Sequence, residues 1–380
     1  MPEHVKSFLH RFYEYLHNFF ILIPNILIIY SIKINNMASE TSNRKDDHLH
    51  LVMNEKVDFV NKTTGFERYD FIHYAVTDVD INKIDLSVEF FGKKINFPFM
   101  ISSMTGGTDK ATGINAELAS VANDLNIPIG IGSQRQALEN SDFHNSYKVI
   151  RKNAADVPVL ANIGASEISN EFNSSDIEKI IDLVEADGLI IHLNPLQELM
   201  QKEGKPDFTN FLGNLKKLID IIDIPVIVKE VGAGIGKKAA RELLERGVKG
   251  IDVAGAGGTS WAAIEILRNG KSKSEFWDWG LPTSYCIRKV RKLKSDYDFI
   301  LIASGGINNG TDIAKALALG ADFTASAKIL LQTLINNGAE SVKNLISGWF
   351  EIVKQIMFLT GAHTLDEFNK SKLILKKELF

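Results

Sequence analysis

The chain has 380 residues, of which 45% are hydrophobic and 24% are charged, and its formal net charge is −4 at pH 7. This composition is typical of a soluble globular protein with a sizeable core, and the small net charge gives no sign of binding to nucleic acid or to an anionic membrane surface. The single cysteine, Cys286, excludes an internal disulfide framework and a cysteine-based zinc cluster, and it fits a reducing cytoplasm.

An apolar stretch near the amino terminus, residues 19–30, follows the basic residues Lys6 and Arg11. Pro24 and Asn25 interrupt it, so it is too short for a membrane span, and no small-residue cleavage site follows it as a signal peptide requires. We therefore expect translation to start at Met37 and residues 1–36 to be an extension outside the functional protein. A weak membrane anchor is the second interpretation, and no stable membrane association is expected.

From residue 97 onward, apolar runs alternate with stretches of helical periodicity. The runs are Phe97–Ser102, Ile127–Gly132, Val157–Asn162, Gly188–His192, Pro225–Lys229, Gly250–Ala254, Phe299–Ser304 and Asp322–Ala327. The helical stretches include Ile114–Asn126, Ile177–Ala186, Phe211–Ile222, Lys237–Arg246, Ile313–Leu319 and Ser341–Leu359. The runs are nearly continuous in Val, Ile and Leu, as in strands that are covered on both faces.

Eight such strand–helix units predict an α/β fold, a single (β/α)8 TIM barrel over residues 97–380. An open doubly wound sheet is the alternative, but eight units without a break favour closure. Residues 37–96 are predicted to form an amino-terminal lid segment and a lead-in to the barrel. The lead-in includes a hairpin that turns at Gly92 and Lys93.

Polar or glycine-rich residues follow every predicted strand. These strand-end motifs are Met104–Gly107, Ser133–Arg135, Asn162–Gly164, His192–Glu198, Lys229–Glu230, Gly255–Trp261, Gly305–Gly306 and Ala327–Lys328. In a (β/α)8 barrel the carboxyl ends of the strands meet at the face that carries the active site. The sequence therefore predicts that these residues line one mouth.

The fourth strand end brings His192, Asn194, Gln197 and Glu198 within seven residues. One polar residue there would be an ordinary loop residue, but four of them favour a site. Glu198 is the best metal candidate, because Mg²⁺ is commonly held by one carboxylate together with substrate phosphates.

The seventh and eighth strand ends predict a phosphate site, because many barrels bind phosphate in these two loops and glycines let backbone amides approach an anion. Lys229 is interpreted either as the partner of Glu230 or of another barrel residue in a salt bridge, or as a cation beside an anionic cofactor or intermediate. Its position at a strand end favours the second interpretation. The glycine-rich stretch 232–237 lacks the spacing of a nucleotide-binding fingerprint. We interpret it as a flexible loop.

From Arg44 to about residue 365, the chain resembles the type II isopentenyl-diphosphate delta-isomerases, which are FMN-dependent (β/α)8 enzymes. The matching motifs are Arg44–His48, Met104–Gly107, Ser133–Arg135, Asn162–Ala165, His192–Glu198, Val228–Glu230, Gly257–Trp261 and Ser304–Ile307. They cover nearly the whole barrel in the family's order. Asn308 departs from the pattern, because relatives often have arginine after the Gly-Gly-Ile segment, and we expect weaker phosphate binding from it.

The resemblance implies a role for each matching position. FMN would be bound by Met104, Thr105, Gly106, Ser133, Asn162, Lys229, Thr259, Gly305, Gly306, Ile307, Ala327 and Lys328. The substrate, mainly its diphosphate, would be bound by Arg44, Lys45, Ser133, Gln134, Arg135 and Gln197. Glu198 would bind Mg²⁺, and the candidates for catalysis are Gln197, His192 and Lys229.

The resemblance also implies the reaction. Isopentenyl diphosphate and dimethylallyl diphosphate would be interconverted without net redox, with reduced FMN assisting protonation and deprotonation and NADPH serving as reductant. The partners implied are the small-molecule substrate and further copies of the chain, in a tetramer or octamer, in the cytoplasm.

Two other functions are weighed against this one. An FMN-dependent 2-hydroxy acid oxidase needs a base, usually a histidine after the sixth strand, and residues 253–258 contain none. A flavin-binding barrel without catalysis would have no need for Arg44, Lys45, Gln197 and Glu198 together.

Overall fold

The structure is a computed structural model that describes residues 44–170, 172–369 and 372–379. The chain divides into two units, Met1–Asp46 and Asp47–Phe380. The apolar stretch 19–30 and the expected start at Met37 lie outside the described residues. Within the described ranges, no helix is both long enough and apolar enough to cross a membrane.

Among the described residues, eight parallel strands close into a barrel, and two antiparallel strand pairs lie outside it. In chain order the strands are β1 Tyr69–Phe71, β2 Val88–Phe90, β3 Lys93–Ile95, β4 Phe99–Ile101, β5 Ile129–Gly130, β6 Val159–Gly164, β7 Gly188–Leu193, β8 Val226–Glu230, β9 Gly250–Asp252, β10 Ile300–Ala303, β11 Phe323–Ser326 and β12 Leu373–Leu375. Strands β4 to β11 form the barrel in sequential order, and β11 pairs with β4 to close it. The predicted (β/α)8 barrel is confirmed.

Helices follow the barrel strands. They are α1 (residues 44–54), α2 Asp109–Leu125, α3 Arg135–Glu139, α4 Asn145–Asn153, α5 Ser174–Leu183, α6 Pro195–Met200, α7 Phe211–Ile219, α8 Lys237–Leu244, α9 Trp261–Arg268, α10 Thr283–Val290, α11 Gly310–Ala318, α12 Lys328–Asn337, α13 Ala339–Leu359 and α14 Leu365–Phe368. Several begin where a polar side chain accepts a hydrogen bond from a free amide of the first turn. Thr108 does so for α2 and Ser260 for α9.

The predicted hairpin consists of β2 and β3, which pair antiparallel. Its residues Phe90 and Ile95 are fully buried and belong to the same apolar cluster as Met100, Leu160 and Ile190 of the barrel strands. These side chains fill the lower part of the barrel, so the hairpin plugs the amino-terminal end. The carboxyl ends of the strands are left to form the mouth, as in other barrels of this kind.

Candidate active site

A ring of polar side chains lies directly above the apolar filling of the barrel. Leu160, Ile190, Ile227 and Ile302 belong to the inner apolar cluster. Because side chains alternate between the two faces of a strand, the residues two positions further along also point inward. These residues, with Asp252 of β9, form what we call the polar belt: Asn162, His192, Lys229, Asp252 and Ser304. Five consecutive strands or their ends supply it, and Lys229 is in register with both His192 and Asp252.

Two hydrogen bonds order the belt. The Nδ1 atom of His192 lies 2.8 Å from Oδ1 of Asn162, and the hydroxyl of Ser304 donates to Oδ1 of Asp252 at 2.6 Å. Because a carbonyl oxygen can only accept, the first contact places the proton of the imidazole on Nδ1. The Nε2 atom of His192 is then the basic nitrogen. Asn162 thereby fixes both the orientation and the tautomer of His192.

Lys229 does not form the predicted salt bridge with Glu230. Its Nζ atom donates to the main-chain oxygen of Glu230 at 2.7 Å. The carboxylate of Glu230 points out of the barrel, where Oε2 accepts hydrogen bonds from the amides of Val231 and Gly232, both at 2.6 Å, and also from those of Ala233 and Gly234. The glycine-rich loop is therefore wrapped around its own carboxylate. Four amides of this loop thus share one buried acceptor, and the expected flexibility of the loop stays a prediction.

Asp252 is the least expected member of the belt. It is 0% exposed, and its Oδ2 atom is buried without a hydrogen-bond partner among the described residues. Burial raises the pKa of this carboxyl, while the charge of Lys229 and the hydrogen bonds from Ser304 and Ala254 lower it. A buried carboxyl with one unpaired oxygen is costly. Such a group is often found at a functional site.

The loops after β9 and β10 form a wall made of backbone. A Cβ atom on Gly258 would lie 2.5 Å from the amide nitrogen of Gly306, and one on Gly305 would lie 2.1 Å from the oxygen of Gly255. Gly305 and Gly306 both have positive φ, 94° and 73°. Thr283 donates to the oxygen of Gly305 at 2.7 Å and holds the turn in place. Such a surface lets a flat or anionic group approach the main chain closely.

The lead-in segment 57–64 lies along this wall. The amide of Phe59 donates to the oxygen of Gly258 at 3.0 Å, and a Cβ atom on Gly257 would lie 2.1 Å from the amide nitrogen of Thr64. Thr259, a predicted FMN residue, forms a bridge with Asp58. Lys328 also contacts Asp58, with its Nζ atom 2.8 and 2.9 Å from the two carboxylate oxygens. This predicted phosphate ligand is therefore already neutralised by a partner that the sequence did not suggest.

The first two strand ends lie against each other. A Cβ atom on Gly132 would be 2.3 Å from the oxygen of Thr105, and one on Gly106 would be 2.3 Å from the ring of Tyr147. The hydroxyl of Tyr147 donates to the main-chain oxygen of Ser133 at 2.8 Å. Tyr147 thus braces the loops that carry the predicted FMN residues Met104 to Gly106 and Ser133.

Gln134 and Arg135 differ in their surroundings. The amide of Gln134 is fully buried, donates to the oxygen of Ile180 at 2.8 Å and accepts from the main-chain amide of Asn162 at 3.0 Å. Both ends of this side chain serve to join β5, β6 and α5, so we omit Gln134 from the substrate residues proposed below. Arg135 is half-buried and pairs with Glu139 at 3.0 Å and Glu167 at 3.2 Å.

Glu198, the metal candidate, is buried and folded back onto its own loop. Its Oε1 atom accepts from the amide of Asn194 at 2.9 Å, and its Oε2 atom accepts from the main-chain amide of Lys205 at 2.8 Å. The Oδ1 atom of Asn194 is buried and has no partner among the described residues. Two oxygen donors of the type that Mg²⁺ prefers are thus side by side. Across the described ranges, no group of three His, Cys, Asp or Glu residues could hold a metal by itself.

Glu265 of α9 is the centre of a cluster that the sequence interpretation missed. Its carboxylate is 0% exposed and accepts from His48 at 2.8 Å, from Gln197 at 3.3 Å and from Arg268 at 2.6 Å. Burial alone would raise the pKa of Glu265, but the hydrogen bond and charge of His48, together with Arg268, outweigh it and lower the pKa. Glu265 therefore links Gln197, a predicted catalytic residue, to the amino-terminal helix.

Arg44 and Lys45 open helix α1 and belong to the first of the two units. Their predicted contact with the diphosphate stays a prediction.

A model of the FMN-dependent dehydrogenase family matches residues 39–146 and 154–375. The chain is 44% identical to the isopentenyl-diphosphate delta-isomerase of Pelodictyon phaeoclathratiforme over 353 residues, which is 89% of this chain and 98% of that protein. The enzyme of the same name from Chlorobium limicola is also 44% identical, over 90% of this chain and 98% of the relative. The chain belongs to the isopentenyl-diphosphate delta-isomerases. The family resemblance inferred from the strand-end motifs is confirmed.

Solved structures show the same architecture at low sequence identity. A flavocytochrome b2 with pyruvate bound has a TM-score of 0.64 and 16% identity, and covers 90% of this chain and 85% of that one. A lactate oxidase from Pediococcus acidilactici has a TM-score of 0.62 and 17% identity, with coverages of 84% and 88%. At this level of identity these likenesses establish the barrel fold and carry no information on the reaction.

Proposed function

We propose that this isopentenyl-diphosphate delta-isomerase interconverts isopentenyl and dimethylallyl diphosphate in the barrel mouth, with reduced FMN bound above the polar belt. The observation that carries the proposal is the match over 98% of the length of relatives that bear this name. FMN when bound would supply the acid–base chemistry at the alkene, and the residues of the mouth would hold the cofactor and the substrate.

The described residues fit a flavin. In the backbone wall of Gly258, Gly305 and Gly306, main chain packs on main chain without room for a Cβ atom. These residues therefore place no side chain between the wall and a flat ring or a phosphate. Next to it, on the adjacent strand β8, Lys229 points into the barrel at the centre of the belt. We propose that Lys229 lies beside the flavin ring, where an ammonium stabilises negative charge that develops on reduction. Met104 to Gly106, Ser133, Thr259, Ile307, Ala327 and Lys328 complete the proposed set.

The substrate is proposed to lie on the side of the mouth formed by His192, Gln197 and Glu198. Arg135, with Arg44 and Lys45, is proposed to bind the diphosphate by charge-assisted hydrogen bonds. Glu198 and Asn194 offer oxygen atoms to Mg²⁺, and the diphosphate would supply further ligands. Gln197 donates to Glu265, so its amide oxygen is left to face the substrate.

His192 and Gln197 are proposed to orient the reacting carbon chain. The proton of His192 is fixed on Nδ1 by Asn162, so Nε2 is the ring nitrogen that can accept a hydrogen bond. The apolar floor of Ile190 and Ile227 below the belt excludes water from beneath, which favours charge stabilisation by fixed groups.

The test is incubation of purified protein with isopentenyl diphosphate, FMN, Mg²⁺ and NADPH under anaerobic conditions. Dimethylallyl diphosphate should form in many turnovers for each NADPH consumed, because the reaction has no net redox. A control without NADPH, with L-lactate or mandelate in place of the diphosphate, should leave the flavin oxidised. Equal consumption of NADPH and substrate, or reduction of the flavin by the hydroxy acid, would contradict the proposal.

A further inference from the structure

The polar belt contains a buried carboxyl for which the proposed reaction has no use. Asp252 is fully buried at the base of the mouth. One of its oxygens is held by Ser304 at 2.6 Å, and the other has no hydrogen-bond partner among the described residues. A carboxylate that served only to brace the barrel would have both oxygens paired. The unpaired oxygen points to a group that changes its partner or its protonation.

The cation next to Asp252 is Lys229. The two residues are in register on adjacent strands, and their side chains point to the same, inner face of the barrel. In this structure the ammonium donates to the main-chain oxygen of Glu230 and not to Asp252. Beyond Lys229 lie the carboxylate of Glu230, which faces out of the barrel, and the imidazole of His192 on β7. On the side of β10, the neighbour is the hydroxyl of Ser304.

We propose that Asp252 is a proton-binding site that is coupled to the redox state of the cofactor. Its carboxylate is ionised beside Lys229 while the cofactor is oxidised. It binds a proton when the reduced, anionic cofactor attracts the ammonium of Lys229 away from it. This inference rests on the proposed function, because it requires FMN above the belt. Asp252 acts through Lys229 and is thus a positioning residue.

Electrostatics gives the direction of the change. Burial raises the pKa of Asp252, and the charge of Lys229 is the strongest of the influences that lower it. A negative charge on the cofactor neutralises Lys229 and repels the carboxylate, so both effects favour the acid. Two-electron reduction of FMN, by a nicotinamide hydride donor or an electrode mediator, adds one proton to the cofactor itself. Asp252 would take a second proton from solvent, and no covalent bond to the protein would form.

The experiment measures the midpoint potential of FMN bound to the holoenzyme as a function of pH, between about pH 6 and pH 8. Coupled uptake of the second proton makes the slope in the unmodified protein about twice that in Asp252→Asn. Ser304→Ala is the matched control, because it removes the donor but keeps the ionisable carboxyl, and it should retain the steep slope. Equal slopes in the unmodified protein and Asp252→Asn would overturn the proposal.

A second measurement uses the unmodified protein alone and so does not depend on the folding of a variant. The infrared difference spectrum between reduced and oxidised holoenzyme should show the gain of one protonated, buried carboxyl. Absence of that signal would also overturn the proposal. A steep dependence of the midpoint potential on pH in a protein without isomerase activity would contradict the proposed function but support this inference. Failure of the protein to bind FMN would contradict both.

Discussion

The Nε2 atom of His48 lies 2.8 Å from Oε1 of Glu265, and this contact joins two segments that are 217 positions apart in the chain. The ring of His48 also meets Trp261 edge to face, with centroids 5.1 Å apart. Arg268 binds the same carboxylate from the other side, one turn along α9. The amino-terminal helix from Asp47 onward is therefore tied to α9 through the buried carboxylate of Glu265, and Asp47 adds an exposed ion pair with Arg268 at 3.6 Å.

Glu265→Gln should lower the free energy of unfolding by about 3 kcal/mol at pH 7, because it leaves Arg268 and His48 without their buried counter-charge. Glu203→Gln is the matched control, since Glu203 binds the same arginine at 3.5 Å but is exposed. It should change stability by no more than about 0.5 kcal/mol. Denaturant unfolding measures both. Equal effects of the two substitutions would contradict the central role of Glu265.

We also expect Glu265 to make the stability of the folded chain depend on pH in the acidic range. The pKa of Glu265 is lower in the folded chain than its ordinary value of 4.5. Its stabilising contribution is therefore complete above that value and is lost as the pH falls through the lower, folded-state pKa. The unmodified protein should lose stability below about pH 5 more steeply than Glu265→Gln. The same dependence of the free energy of unfolding on pH in the two proteins would show that protonation of Glu265 is not coupled to unfolding.

Glu198→Gln should raise the Mg²⁺ concentration needed for half-maximal turnover by at least about tenfold, because an amide is a poorer ligand for a hard cation than a carboxylate. FMN binding, followed by flavin fluorescence, should be unchanged. Lys205→Ala is the control, since it removes the neighbouring side chain but keeps the main-chain amide that binds Glu198. Loss of FMN with an unchanged response to Mg²⁺ would mean that Glu198 belongs to the flavin side of the mouth.

Gly306→Ala should lower the free energy of unfolding by about 2 kcal/mol and weaken FMN binding, because φ is positive there and a Cβ atom would meet the oxygen of Gly257 at 2.6 Å. Gly213→Ala is the contrasting variant, since Gly213 lies exposed in α7 with no atom near its missing Cβ. It should stabilise the chain by about 0.5–1 kcal/mol. FMN titration and unfolding curves distinguish the two, and a tolerated Gly306→Ala would contradict the backbone wall.

Cys286 should not react with thiol reagents in the folded protein at pH 8. Burial, together with the charge of Glu230, raises its pKa to about 12, so the thiolate that such reagents require is scarce. In denaturant, one thiol per chain should react at once, which serves as the internal control. Rapid stoichiometric labelling of the native protein would show that the region around Cys286 opens to solvent.

The barrel could be predicted from sequence because its signals are local. Strands covered on both faces are continuously apolar, and the polar residues at their ends mark the mouth. Asn162, His192 and Lys229 were found in this way, since each ends such a run. Asp252 and Glu265 were not found in this way. Each is a lone carboxylate inside an apolar stretch, and this pattern is typical of a buried charge that has a partner.

The contacts of the lead-in segment could not be predicted from the sequence. Asp58 neutralises Lys328 from 270 positions away, and nothing in either local sequence specifies that pairing. The hydrogen-bond partners of Glu230 could not be predicted either, although they are close to it in the chain. A glycine-rich loop after a strand suggests room for a ligand, and only the folded structure shows that the carboxylate of Glu230 takes that place.

Because the carboxylate of Glu230 accepts hydrogen bonds from the amides of Val231 to Gly234, these amides are already satisfied and are not available to bind an anion. Here the acceptor is part of the chain itself, so a phosphate group of the cofactor or the substrate has to be bound by other loops of the mouth.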